Sequence, residues 1–276
     1  MPKLESQPFE SKLDTSSEQF NKNKTSMLSM LEEIDVLLDE AELGGGEQHK
    51  ERLAKRGKLP VRERVFHFLD PDSPFLEISG LAAYKSDYPV GGGAIAGIGV
   101  SAGIECIIFA NDPTVLAGAM HFYSVKKWMR AMQIARDSRL PFIQFVESAG
   151  GDLRPRSNAV VGGTTHFAES GRQFYEITEL SKLNIPTVTV TFGTATAGGA
   201  YQPGMSDYNI FVKDQADVAL AGPPLVQMAT GEISSREDIG GAKMHAEKSG
   251  LAEYLADNDL DGIRTVSYTH LTLPTI

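Results

Sequence analysis

The sequence predicts an α/β fold, and three observations carry that prediction. Short apolar runs at 142–146, 187–192 and 208–212 alternate with segments of helical periodicity. Pro141 and Pro186 stand directly before two of these runs, where helices end and strands begin. The same two runs give way to stretches almost free of bulky side chains, Glu147-Ser148-Ala149-Gly150-Gly151-Asp152 and Gly193-Thr194-Ala195-Thr196-Ala197-Gly198-Gly199-Ala200. Strands alternating with helices belong to one sheet with helices packed against it. Small residues at a strand–turn–helix junction leave backbone N–H groups uncovered, where free amides and the positive end of a helix dipole favour negative charge. One Gly-Gly pair is most simply a place where a helix packs closely on a sheet. Two equivalent junctions on neighbouring strands tip the balance toward a shared oxyanion hole.

Residues 1–26 are polar and are expected to form a disordered arm. From Met27, the residues Met30, Leu31, Ile34, Leu37, Leu38 and Ala41 fall at helical spacing, an amphipathic helix that Gly44-Gly45-Gly46 ends. A second helix spans 47–56 and stops at Gly57, and a third spans 60–69 before the turn Asp70-Pro71-Asp72-Ser73-Pro74. Residues 27–70 thus read as a helical extension to a main domain over 71–265. The runs 94–100 and 104–110 read as a hairpin closed by Ser101-Ala102-Gly103. The next helix spans 122–138, with Val125, Trp128, Met129, Met132 and Ala135 on its core face. A further helix over 165–182 turns Phe167, Phe174 and Ile177 inward, and a last strand falls at 218–220.

An apolar fraction of 41% and a charged fraction of 22% are those of an ordinary globular protein. The formal charge of −10 argues against a nucleic-acid surface. Cys106 is the single cysteine, which excludes an intrachain disulfide and suits a reducing compartment. Residues 1–24 lack Arg and any apolar core, unlike a secretory or transit signal, and no apolar run approaches a membrane span, so a cytoplasmic location is expected. His49, Lys50, Arg52, Lys55, Arg56 and Lys58 form the strongest basic cluster, ordinarily a solvated helix face and less commonly a contact to nucleotide phosphate. Lys126 and Lys127 are likewise expected in solvent, with a lesser claim on a ligand.

The segments 91–96 and 97–102 both spell a dinucleotide fingerprint, but a strand follows where a helix is required, which rejects it. Neither a Gly-x-Ser-x-Gly elbow, a His-Glu-x-x-His pair nor a Walker loop occurs, and the histidines lack metal-ligand spacing. Ser148 is a conceivable nucleophile without a local base. Chemistry carried by preorganised amides is what remains.

An ordered series of motifs then resembles one family. It comprises Gly57-Lys58-Leu59 with Arg62-Glu63-Arg64, Gly91-Gly92-Gly93-Ala94-Ile95-Ala96-Gly97-Ile98-Gly99, Ala110-Asn111-Asp112, Val125-Lys126-Lys127, Glu147-Ser148-Ala149-Gly150-Gly151, Thr196-Ala197-Gly198-Gly199-Ala200-Tyr201, Ala221-Gly222-Pro223-Pro224-Leu225-Val226 and Glu237-Asp238-Ile239-Gly240-Gly241-Ala242. The series covers about residues 27–265 and resembles the carboxyltransferase (β) subunits of biotin-dependent acyl-CoA carboxylases, in the crotonase superfamily; the Ala-Gly-Pro-Pro-Leu-Val form is most like the methylcrotonoyl-CoA enzymes, with propionyl- and acetyl-CoA relatives open.

The resemblance implies a crotonase-like ββα spiral that binds an acyl-CoA. It also implies transfer of a carboxylate from carboxybiotin to the α (or vinylogous γ) carbon, with backbone amides holding the thioester enolate and the released biotin anion taking the proton. Oxyanion donors are then expected among Gly150, Gly151, Gly198, Gly199 and Ala200, and ligand-binding positions at Arg56, Lys58, Lys126 and Ala149. Biotin is expected on a separate α subunit or domain, no metal is expected in this chain, and the complete protein is expected to be a homo-oligomer. The resemblance further implies a second oxyanion hole, for biotin, expected in a C-terminal domain outside this sequence. A hydratase of the same fold is the alternative and would need an acid/base pair, for which Glu147 and Asp152 are the candidates; a non-catalytic assembly module is the third reading. Ala242-Lys243-Met244 is superficially similar to a biotinylation site, but the Met-Lys-Met order is absent and a helix is expected there. Residues 266–276 do not resemble the family and are similar to the read-through of a sequencing-library adaptor, so a non-native tail is expected after Thr265.

Overall fold

A computed structural model describes residues 11–152, 154 and 167–267. Its elements run α1 (Glu18–Leu43), α2 (Glu47–Ala54), α3 (Val61–Phe68), β1 (Leu76–Glu77), β2 (Ala94–Ser101), β3 (Ile104–Asn111), α4 (Phe122–Ser138), β4 (Phe142–Ser148) and α5 (Phe167–Lys182). They continue with β5 (Thr187–Thr196), a 3-10 turn (Ala197–Ala200), α6 (Tyr201–Gly204), β6 (Tyr208–Val212), β7 (Asp217–Ala219), α7 (Pro223–Thr230), α8 (Arg236–Gly240), α9 (Ala242–Met244), β8 (Tyr254–Ala256) and α10 (Asp259–Val266).

One sheet holds them, in the order β1-β2-β3-β4-β5-β6-β8, with β7 paired to the far end of β5. Strands β1, β2 and β3 are antiparallel neighbours, whereas β3, β4, β5, β6 and β8 run parallel. The parallel strands are covered on both faces, so β4 and β5 read as nearly unbroken buried runs. Alternation along each strand sorts the core into two layers. Ile143, Phe145, Val188 and Val190 join Val61, Val65 and Phe68 of α3 and Ile263 and Val266 of α10 on one face. Ile107, Phe109 and Phe142 join Trp128, Met132 and Ala135 of α4 and Ile177 and Leu180 of α5 on the other.

Four expectations need correction. The first helix begins at Glu18, where Ser17 caps it by accepting from Phe20 N at 3.2 Å, so residues 18–26 are helical and not an arm. None of its residues is buried, and Met27, Met30, Leu31, Ile34 and Leu38 stay exposed. The stretch 60–69 is no separable extension either, because α3 supplies part of the main core. Strand β5 runs on through Thr196, so the turn starts four residues later than the apolar run suggests. Finally, the expected tail boundary at Thr265 cuts through α10: Val266 is fully buried in the core, and Ser267 Oγ lies 3.1 Å from Ser101 Oγ. Residues 268–276, Phe167 as an inward side chain, and the start of the 165–182 helix lie outside the described residues.

Candidate active site

Parallel pairing places the carboxyl ends of β4 and β5 side by side, with Ser148 opposite Ala195 and a register shift between Val146 and Ser148. Each strand therefore delivers its small-residue turn to one edge of the sheet. The two turns touch. Gly150 has φ 88°, a region that favours glycine, and a Cβ there would lie 2.7 Å from Thr196 O. At Gly199 a Cβ would lie 3.0 Å from both Cβ and Oγ of Ser148. These two glycines are thus needed for close approach of one turn to the other. Gly198 differs, because no described residue beyond its chain neighbours lies within 4 Å of the position its Cβ would take. It stands at the start of the 3-10 turn Ala197–Ala200, whose first N–H groups have no partner within the turn. Gly198 is therefore the position where open space meets amides at a helix start.

The remaining candidates are distributed as follows. Gly150 N donates to Ser148 Oγ at 3.2 Å, and Ala149 N donates to Ala117 O at 3.1 Å, so both amides are engaged within the protein. Gly151 is exposed and bridges to Met120 beside the turn, and Ala200 is buried. Arg56 is exposed at the end of α2, and Lys126 is exposed with its ammonium 4.4 Å from the centre of the Phe122 ring. Among the described residues no contact joins either of them to the glycine turns. Lys58 does reach the site, but its Nζ sits 2.6 Å from Glu147 Oε1 in a largely buried ion pair. Burial corrects the solvated reading of Lys58.

Glu147 and Asp152, the two carboxylates available for acid/base work, are both committed to cations. Glu147 also accepts from Arg64 Nη2 at 3.1 Å, and Arg64 in turn donates to Asp259 Oδ2 at 2.8 Å. Asp152 is buried against Arg154, with Nε 2.7 Å from Oδ1, and that carboxylate holds the Arg154 guanidinium above its ordinary pKa. The hydratase reading loses its acid/base pair here. Sequence reasoning missed Arg64 and Asp259; the available signal was Arg62-Glu63-Arg64 on a helix that also carries core residues, which forces one arginine inward.

Lys127, expected in solvent, is 2% exposed. Its Nζ donates to Gly91 O at 3.3 Å and lies 3.8 Å from Glu77, which Arg62 grips at 2.8 Å. Burial pushes its pKa down to about 8; Glu77 opposes the shift and Arg62 adds to it. A cavity of about 130 Å³ opens near this cluster, bounded by the end of α1, Pro60, Arg62, Gly91, Asp112 and Thr114. None of the glycine-turn residues lines it. Among the described residues no His, Cys, Asp and Glu group could hold a metal, and no helix is long and apolar enough to cross a membrane. Lys243 is exposed in α9 and pairs with Glu247.

Comparison with known proteins gives one family. The sequence matches the family described as the carboxyl transferase domain over residues 52–275, a span that includes most of the expected tail. It is 46% identical over 256 residues to a probable biotin-dependent acyl-coenzyme A carboxylase beta2 subunit of Mycobacterium tuberculosis, covering 93% of this chain and 47% of that protein. It is 45% identical over 240 residues to a biotin-dependent 3-methylcrotonyl-coenzyme A carboxylase beta1 subunit of the same organism, covering 86% of this chain and 44% of the relative. Among solved structures, the beta subunit of geranyl-CoA carboxylase from P. aeruginosa superposes with a TM-score of 0.84 at 40% identity, over 96% of this chain and 49% of that one. The fold is crotonase-like. The chain spans about half the length of the curated relatives it matches.

Proposed function

Since this chain belongs to the carboxyl transferase domain family, we propose that its glycine turns hold the thioester oxygen of an acyl-CoA while a carboxyl group is transferred to the acyl carbon. The observation that carries this reading is Gly198, an open position at the start of the 3-10 turn, set against a second amide-bearing turn. Loss of the proton next to the thioester, to the biotin anion released when carboxybiotin gives up its carboxyl group, places negative charge on the thioester oxygen. Two preorganised N–H donors stabilise that charge without a titrating side chain. The commitment of Glu147 and Asp152 to cations supports this over hydration, which needs a free acid/base pair.

The donors we assign are drawn from Gly198, Gly199 and Ala200 on one turn and Gly151 on the other, since the Gly150 amide is held by Ser148 Oγ. Carboxybiotin is the second substrate, presented by a separate biotin-carrying α subunit or domain, and it supplies the carboxyl group. Relatives named for 3-methylcrotonyl-CoA and geranyl-CoA favour a branched or unsaturated acyl group. The complete protein is read as a homo-oligomer in the cytoplasm, where the buried single thiol of Cys106 suits a reducing medium. Because this chain spans half of its relatives, it is expected to bind acyl-CoA without transferring carboxylate by itself. Calorimetric titration with 3-methylcrotonyl-CoA, followed by an assay for transfer from free carboxybiotin, checks both points. Binding without turnover is the expected result; failure to bind any acyl-CoA would remove the proposal.

A further inference from the structure

We infer that the buried network Lys58–Glu147–Arg64–Asp259 is a positioning device that sets the Ser148–Gly151 turn, and that these four residues act on the acyl-CoA only through it. Its functional consequence rests on the acyl-CoA reading above; its structural part does not. The four side chains come from distant parts of the chain: the segment after α2, the end of β4, the middle of α3 and the start of α10. Each is largely withdrawn from water, with side-chain exposures of 9% for Lys58, 12% for Glu147, 1% for Arg64 and 2% for Asp259. Asp259 also accepts from Leu59 N at 3.0 Å, which ties the backbone beside Lys58 into the same group. The guanidinium of Arg64 lies 4.3 Å from the centre of the Phe192 ring, so it spans from β4 to β5.

Location gives the network its role. Glu147 lies at the register shift between β4 and β5, one residue before Ser148, whose Oγ accepts from Gly150 N. Anchoring the Glu147 carboxylate from two sides removes the freedom of that irregular step. The partner strand is shaped to receive the pair, because a Cβ on Gly193 would lie 2.5 Å from Glu147 Oε1 and 2.6 Å from Lys58 Nζ. Buried ion pairs are poor stabilisers compared with apolar residues of the same volume, since desolvation offsets the attraction. What they impose well is one arrangement, and here that arrangement places the amides of the turn.

The test uses this chain and two variants. Lys58→Met deletes one anchor, and Gly193→Ala keeps every charge but pushes a methyl group under the pair. Amide hydrogen exchange is read across the chain by mass spectrometry. Affinities are measured for acetyl-CoA and for S-ethyl-CoA, a thioether without the carbonyl oxygen. We expect exchange over residues 148–151 to quicken on the order of tenfold in both variants while β2 and β3 stay protected. Affinity for S-ethyl-CoA should persist, while the preference for acetyl-CoA disappears. Unchanged exchange at 148–151 would overturn the inference. So would faster exchange spread evenly over the sheet, which would make the network a general support of the fold. If the parent chain binds neither CoA compound, the acyl-CoA reading fails while the exchange result still decides the positioning role.

Discussion

Gly198 and Gly199 stand next to each other and carry different duties. A side chain at Gly199 meets Ser148 at 3.0 Å, so Gly199→Val overpacks the contact and costs about 1–3 kcal/mol of stability. No described residue beyond its chain neighbours lies within 4 Å of a Cβ at Gly198, and its φ is not in the left-handed region, so Gly198→Val should leave the fold intact and cover the amides. Thermal melts of the two variants should separate them, with a loss of several degrees for Gly199→Val alone. In a complete, active protein Gly198→Val should lower turnover by about a hundredfold; wild-type turnover would exclude these amides. The glycines themselves were legible in the sequence, but their division of labour was not, because it depends on the distance between two turns 50 residues apart in sequence.

Two other residues give independent checks. Burial, aided by Asp70, pushes the Cys106 thiol up to about 12, so native protein should resist iodoacetamide at pH 8 and react only once unfolded. Rapid labelling of the folded chain would contradict the burial of this strand. Lys127 has its folded pKa lowered from 10.5 to about 8. Between those values the unfolded chain binds more protons than the folded one, so stability attributable to Lys127 rises with pH over that window and is lost as pH falls through about 8. The full span corresponds to about 3 kcal/mol. Lys127→Met should flatten this slope in urea unfolding measured from pH 7 to 10.5; an unaltered slope would mean that the ammonium is solvated. Helical periodicity missed Lys127 because the expected core face, Val125, Trp128, Met129, Met132 and Ala135, turns away from it, whereas the buried face of α4 also takes in Ser124, Lys127 and Ala131.

At the level of elements, the sequence was most informative where periodicity and burial coincide. Helix α4 and strand β6 lie at their expected bounds, and the β2–β3 hairpin turns where Gly103 suggested. Boundaries were missed where a neighbour decides them. Strand β5 extends to Thr196 because β7 pairs with residues 194–196, and no local signal encodes that partner. Helix α1 begins early because Ser17 caps it, without any burial. Val266 looked like the start of an unrelated tail, yet it closes the core beneath α3. A chain ending at Thr265 should therefore be less stable by about 1–2 kcal/mol than one ending at Ser267. Equal urea midpoints for the two would show that α10 is complete without Val266.

For the molecule as a whole, the sheet acts as a frame that brings two uncovered backbone turns together, and a buried ionic network reaches from both ends of the chain to one of them. The family was legible because the glycine and charge motifs recur in order along the sequence. The network was not, since its members are up to 201 positions apart, from Lys58 to Asp259. The most direct measurement of the amide cradle is the isotope-edited infrared spectrum of acetyl-CoA labelled with carbon-13 at the thioester carbonyl and bound to this chain. Amides that grip the oxygen polarise the bond, so the carbonyl band should move to lower frequency on binding and return toward its free position in Gly198→Val. A band that stays at the free-ligand frequency while the ligand is demonstrably bound would contradict the cradle.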